Sequence, residues 1–170
     1  MIKQDILENQ ANMVYIGIGS NLGNRLNNIE KAKYLLLING INIIKISSYY
    51  ESLSWPDKTN PKFINIIIES DTKFKPKKLL EIFKKIETFL GRKKAKKNAP
   101  RKCDIDLIDF KRKIYRGVIS TPHKRMHKRN FVLIPLYELN KTWFHPKFNI
   151  SIKKLIFSLP IKDIRSIKKI

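Results

Sequence analysis

An α+β fold, with two helices on one face of an antiparallel sheet, is predicted by three observations. Segments of strand character alternate with segments of helical period, their order is strand, helix, strand, strand, helix, strand, and no repeat or long linker interrupts the series. Met13 to Ile18 reads as a buried strand, and Gly19-Ser20-Asn21-Leu22-Gly23-Asn24 as the turn into a helix with Leu26, Ile29, Ala32 and Leu36 on one stripe. Gly40 marks the end of that helix. Ile41 to Tyr50 reads as a second strand and Phe63 to Ser70 as a third, joined by a polar loop through Trp55-Pro56 and Asn60-Pro61. Pro76 opens a helix carrying Leu79, Phe83, Ile86 and Leu90 at spacings of three and four, with Gly91 as its cap. A basic loop follows, then a strand from Asp104 to Phe110. This order is the ferredoxin-like βαββαβ arrangement; Phe131 to Leu139 and Ile152 to Phe157 read as short additional C-terminal helices.

The length, 170 residues, suits a short extension over residues 1–12 and a single domain over 13–170. A chain of that size hides about 70% of its unfolded surface and needs neither disulfide nor structural metal. Cys103 is the only cysteine, which excludes an intramolecular disulfide or a cysteine-rich zinc site and suits a reducing cytoplasm. Residues 1–12 hold no apolar run resembling a signal peptide, and no later run approaches the roughly 20 apolar residues of a membrane span. The net charge of +22 raises nucleic acid as a partner. Lysines are spread over every segment together with abundant Ile and Asn, however, so a compositional bias giving a solvated basic surface accounts for most of it.

One stretch needs a local explanation. Between Glu87 and Glu138 the only carboxylates are Asp104, Asp106 and Asp109, and Arg92, Lys93, Lys94, Lys96, Lys97, Arg101 and Lys102 crowd in just before them. On an extended segment Asp104 and Asp106 project to one side, and Ile105 and Leu107 to the other. Two adjacent carboxylates fit either an edge strand with a solvated acidic face or a Mg²⁺ ion shared with phosphate oxygens. The run Gly17-Ile18-Gly19-Ser20-Asn21-Leu22-Gly23 lacks the spacing of a dinucleotide loop and is followed by no Gly-Lys-Ser/Thr, so it reads as a tight strand-to-helix turn. His123 and His127 are four apart, but the basic pairs around them argue for a loop, and no third ligand stands at a zinc spacing. His123, Lys124 and Arg129 are either phosphate contacts or ordinary surface charge.

Pro100-Arg101-x-x-Asp104-Ile105-Asp106-Leu107-Ile108 is preceded by Tyr15-Ile16-Gly17-Ile18-Gly19-Ser20-Asn21-Leu22-Gly23 and Phe63-Ile64-Asn65, and followed by Thr121-Pro122-His123 and Arg129-x-Phe131. These blocks, in one order from Tyr15 to Pro146, resemble the 6-hydroxymethyl-7,8-dihydropterin pyrophosphokinase family. The resemblance implies a ferredoxin-like core and transfer of pyrophosphate from ATP to a hydroxymethyldihydropterin, with release of AMP, in folate biosynthesis. It implies that Asp104 and Asp106 hold two Mg²⁺ ions and that Arg92, Arg101, His123 and Arg129 act with them on the transferring group. ATP contacts would fall on Glu87, Arg92, Lys94, Arg101, Leu107, Ser120, His123, Lys124 and Arg129, with residues 93–97 in a lid. Pterin contacts would fall on Ser52, Trp55, Phe63, Asn65 and Phe131. The partners implied are these small molecules, with no specific nucleic acid and no membrane, on a monofunctional and monomeric protein.

Two features depart from the family pattern. Asn98-Ala99 stands where many members carry Trp-Gly, in a lid one residue shorter, and Trp55 is placed to substitute as a stacking group. Val118 stands where an arginine is usual, with Arg116 nearby. The rival from another class is an RNA-binding module of the same element order. Its third strand would need a Gly-aromatic pattern that Phe63-Ile64-Asn65-Ile66-Ile67-Ile68-Glu69 lacks.

Overall fold

The computed structural model describes residues 11–92, 98–116 and 119–170. The expected lid over residues 93–97, including Lys94, and Val118 lie outside the described residues. β1 (Asn12–Ser20) leads through a turn into α1 (Arg25–Ile38), followed by β2 (Asn42–Ile46), β3 (Tyr50–Ser52), β4 (Phe63–Thr72), α2 (Pro76–Phe89) and β5 (Asp104–Phe110). A 3₁₀ turn (Met126–Lys128), α3 (Asn130–Leu139), β6 (Phe144–His145), β7 (Ile150–Ser151), α4 (Ile152–Phe157), α5 (Ile161–Ser166) and β8 (Lys168–Lys169) complete the order. The main sheet runs β5-β1-β4-β3-β8, with β2 also on β4, and all its pairings are antiparallel.

Three expectations are corrected. The second strand is two strands, β2 and β3, both laid along β4, because Ser47 interrupts it. The Ser47 N–H still donates to the Ile67 carbonyl at 2.9 Å, while its hydroxyl oxygen accepts the Ile67 N–H at 3.0 Å in place of a ladder carbonyl. The buried stripe of α1 is Ile29, Ala32 and Leu36; Leu26, in the first turn, is exposed. Gly17 and Gly19 belong to β1, and only residues 21–24 form the turn, where the Asn24 side chain accepts the Asn27 N–H as an N-cap. α2 ends as expected, with Gly91 at φ +93°, a conformation that a Cβ would strain.

Alternation along the strands divides the core in two. Val14, Ile16, Ile18, Ile64, Ile66, Ile68, Ile105 and Leu107 pack against the apolar stripes of α1 and α2. On the opposite face Tyr15, Ile67 and Ile108 meet Val132, Leu133 and Leu136 of α3, Leu155 of α4, and Trp143. An RNA-binding module leaves this second face open for stacked bases, whereas much of it is covered in this chain. A bulge helps to fill it: Tyr15 pairs with Asp109 and Ile16 with Leu107, leaving Ile108 as the extra residue. Asp109 is thereby buried, and its Oδ2 accepts the Trp143 indole N–H at 2.9 Å.

Two stability predictions follow from this second core. Burial pushes the Asp109 carboxyl pKa up, and the indole is the side-chain donor that opposes this. Trp143→Phe is expected to lower the unfolding free energy by about 1–3 kcal/mol in urea titration, and Asp109→Leu in the same background to restore much of it. His145, stacked on Phe148 with ring centroids 4.3 Å apart, is also buried, and burial brings its pKa from 6.5 down to about 4. Between those pH values the unfolded chain takes up a proton that the folded chain refuses. The stability this group contributes above pH 6.5 is therefore lost as pH falls toward 4. Thermal midpoints across that window should fall more steeply for the parent chain than for His145→Gln.

Candidate functional site

The register of three strands lays out the floor of a cavity. Gly19 of β1 stands between Asp104 of β5 and Asn65 of β4, and Gly17 between Asp106 and Ile67. Directly paired residues share a face, so both carboxylates and Asn65 look out of the sheet across two positions that carry no side chain. A Cβ on Gly19 would lie 2.8 Å from Asn65 Oδ1 and 3.2 Å from a Phe63 ring carbon. The cavity above this floor has a volume of about 370 Å³. It gathers Glu87, Arg92, Arg101, Asp104, Asp106, His123 and Arg129 at one side and Ser52, Trp55, Phe63, Asn65 and Phe131 at the other.

Each carboxylate is met by arginine. Arg92 and Arg101 both donate to Asp104 Oδ1, at 3.1 and 2.9 Å, and Arg129 donates to Asp106 Oδ2 at 3.3 Å. The second oxygen of each aspartate has no hydrogen-bond donor among the described residues, and the side chains are 29% and 40% exposed. Among the described residues no group of three or more His, Cys, Asp or Glu could cage an ion. Two hard carboxylate donors open to the cavity therefore fit a Mg²⁺ ion that completes its shell with water and phosphate oxygens. Arg92 also pairs with Glu87, whose carboxylate accepts the Ile105 N–H at 2.8 Å and so ties the end of α2 to the start of β5. Burial raises the Glu87 pKa, opposed by the Ile105 N–H and Arg92.

The His123 N–H donates to the carbonyl of Ile108 at 2.8 Å, which anchors the loop across the bulge of β5. Burial lowers the imidazole pKa, with Asp106 opposing and Arg129 and Arg125 adding to the shift. Its Nδ1 accepts the Arg125 N–H at 3.2 Å, an assignment that leaves the proton of the neutral ring on Nε2 as a donor. On the other side Asn65 Nδ2 donates to the Ser52 hydroxyl at 2.9 Å, which fixes the amide. The guanidinium of Arg129 lies over both aromatic rings of this side, 5.2 Å from the Trp55 centroid and 5.5 Å from that of Phe131. Arg125 also lies over Trp55, at 5.7 Å.

Not every expected residue is in this cavity. The Leu107 side chain faces the opposite side of the sheet, buried in the core beneath α1 and α2, because it alternates with Asp106. Ser120 and Lys124 line a neighbouring cavity of about 520 Å³ that shares His123. Sequence reasoning missed Asn21, read only as a turn residue. It is buried; its N–H donates to the Arg101 carbonyl at 3.1 Å, and its Oδ1 accepts the Arg101 N–H at 2.7 Å. Its Nδ2 donates to the Pro61 carbonyl at 3.2 Å, joining the arginine loop to the Trp55 loop. Asp57, Asn60 and Lys84, also lining the cavity, were not anticipated, and Asn98, noted only as a departure in the lid, lines it too.

The profile of the 7,8-dihydro-6-hydroxymethylpterin-pyrophosphokinase (HPPK) family matches residues 15–141. The chain belongs to the HPPK family. It is 36% identical over 142 residues to the 2-amino-4-hydroxy-6-hydroxymethyldihydropteridine pyrophosphokinase of Aquifex aeolicus, covering 83% of this chain and 88% of the relative. The Bacillus subtilis protein of that name is 36% identical over 130 residues, covering 75% of this chain and 78% of the relative. With the folic acid synthesis protein fol1 of Pneumocystis carinii identity is 35%, over 96% of this chain but 22% of that longer one. Among solved structures, an HPPK-DHPS of Plasmodium falciparum superposes with a TM-score of 0.73 at 16% identity, covering 95% of this chain and 48% of that one, a likeness of fold.

The matched segment, residues 15–141, thus spans the cavity floor and its two walls. Gly19→Ala is expected to cost about 1–3 kcal/mol of stability in urea titration, because the hydrogen-bonded Asn65 and the Phe63 ring must both move. Gly17→Ala should cost less, since the atoms it meets are side-chain carbons of Ile108 and Ile67.

Proposed function

We propose that this cavity transfers pyrophosphate from ATP to 6-hydroxymethyl-7,8-dihydropterin, with release of AMP, in folate synthesis. The observation that carries the reading is the single cavity in which two open carboxylates, ringed by Arg92, Arg101 and Arg129, face a slot formed by Asn65 and Phe131. Its floor lies in a sheet whose order, β5-β1-β4-β3, fits the ferredoxin-like arrangement once β2 and β3 are counted as one strand.

A pterin is flat, with a hydrogen-bonding edge. Asn65, held by Ser52, offers an amide to that edge, and Phe131, Phe63 and Trp55 offer ring faces. Ring and amide together aim the hydroxymethyl group at Asp104 and Asp106. The hydroxyl oxygen gives up its proton to water and forms its bond to the β-phosphorus as the bond from that phosphorus to the oxygen bridging the α-phosphorus breaks, and AMP leaves with the bridging oxygen. Mg²⁺ ions held by Asp104 and Asp106 would draw charge from the entering and leaving oxygens. Arg92, Arg101 and Arg129 are preorganised around the point where negative charge accumulates, and His123 Nε2–H adds an uncharged donor. Arg129 is the one of these arginines that touches both halves, since it bonds Asp106 and lies over Phe131 and Trp55.

The test is AMP release from ATP and Mg²⁺ with and without the dihydropterin. Pterin-dependent AMP is expected from the parent chain, and Asp104→Ala or Asp106→Ala should lower the rate by about 10³-fold or more while far-UV circular dichroism shows the chain still folded. Arg129→Ala should lower kcat more than it raises the KM for pterin. AMP formation indifferent to pterin, or undiminished in Asp106→Ala, would overturn the reading.

A further inference from the structure

The segment from Ile161 to Lys169 lines no part of the cavity, yet its contacts converge on the elements that form one half of it. β8 adds to the free edge of β3, pairing Lys168 with Glu51 and Lys169 with Tyr50, and Tyr50 is the residue that β4 pairs with Asn65. The Ile170 N–H donates to the Tyr49 carbonyl at 3.0 Å. α5 meets the start of α3 through Asn130, which is buried between Arg129 and Phe131 in the chain. Asn130 Nδ2 donates to the Asp163 carbonyl and to the Ser166 hydroxyl, while its Oδ1 accepts the Phe131 N–H at 2.7 Å. The Asp163 carboxylate in turn pairs at 3.2 Å with Lys58, in the loop that carries Trp55.

β3, the Trp55 loop and the first turn of α3 are thus all tied to one short segment. Among the described residues, no hydrogen bond or ion pair joins residues 161–170 to Arg92, Arg101, Asp104 or Asp106. We infer that α5 and β8 act as a positioning element for the pterin half of the site, with Asn130 as the positioning residue that couples α5 to Phe131. The inference rests on the proposed assignment of Ser52, Asn65 and Phe131 to the pterin. A side chain that locks the backbone on which a stacking ring stands affects binding of the flat substrate and leaves the phosphate end alone.

Asn130→Asp separates the two contacts, because it keeps an oxygen for the Phe131 N–H and removes the donor to α5. Asp163→Asn, at a partly exposed ion pair, weakens the tie to the loop by a change that the fold tolerates. For Asn130→Asp the KM and equilibrium dissociation constant for the dihydropterin are expected to rise by about 3- to 10-fold, with the KM for ATP within twofold of the parent's. For Asp163→Asn the same selectivity is expected at a smaller size. Dissociation constants come from pterin and ATP titrations followed by tryptophan fluorescence and calorimetry. Equal rises for ATP and pterin, or unchanged values for both with only a lowered thermal midpoint, would overturn the inference. Absence of pterin-dependent AMP from the parent chain would defeat the proposed function itself, and with it the assignment on which this inference rests.

Discussion

The register of β1 between β4 and β5 is the constraint on which the site depends. Because β1 is central, one slip by a single residue would turn Gly17 and Gly19 toward the helices and bring Ile16 and Ile18 up into the cavity. The apolar residues prevent it: Val14, Ile16 and Ile18 are buried under α1 and α2, and they hold the glycines on the other face. Core and site are therefore alternate residues of one strand. The same alternation in β5 buries Ile105 and Leu107 and presents Asp104 and Asp106.

Much of this was legible in the chain. Helix periods, the strand of Asp104 and Asp106 and the isolation of those acids among cations all follow from local pattern, because each is set by residues near one another in sequence. The role of Gly17 and Gly19 was not read from the residues alone, although their spacing of two matches that of the aspartates. Glycine suggests a turn, and only pairing with β4 and β5 shows it to be a cavity floor. The division of the second strand at Ser47 depends on a bond to Ile67, and the role of Asn21 on bonds to Arg101 and Pro61. Such long-range ties leave no periodic trace. Leu107 shows the opposite limit: its motif position suggests ATP, while its place on the strand sends its side chain into the core.

The charges of the site are balanced locally and not by the +22 of the whole chain. Glu87 and Asp104 share Arg92, Arg101 adds to Asp104, and Asp106 takes Arg129. In a partly enclosed cavity a carboxylate with no cation beside it would be costly, and so would a guanidinium. Each therefore stabilises the other. The arginines engage one oxygen of each aspartate and leave the other open, so ligands can enter without an ion pair first being broken at every atom.

Arg129 connects this charge system to the aromatic side. Its guanidinium bonds Asp106 and lies over Trp55 and Phe131, so anything flat that stacks on those rings changes the surroundings of a cation committed to the acidic pair. The guanidinium is held on one side by the ring faces and on the other by the Asp106 carboxylate, so the two contacts fix its position between them. The aromatic side and the acidic pair are thus linked through one residue at the N-terminus of α3. That helix is itself seated on the second core through Val132, Leu133 and Leu136. The apolar contacts that cover the second face of the sheet therefore also set where Arg129 can reach.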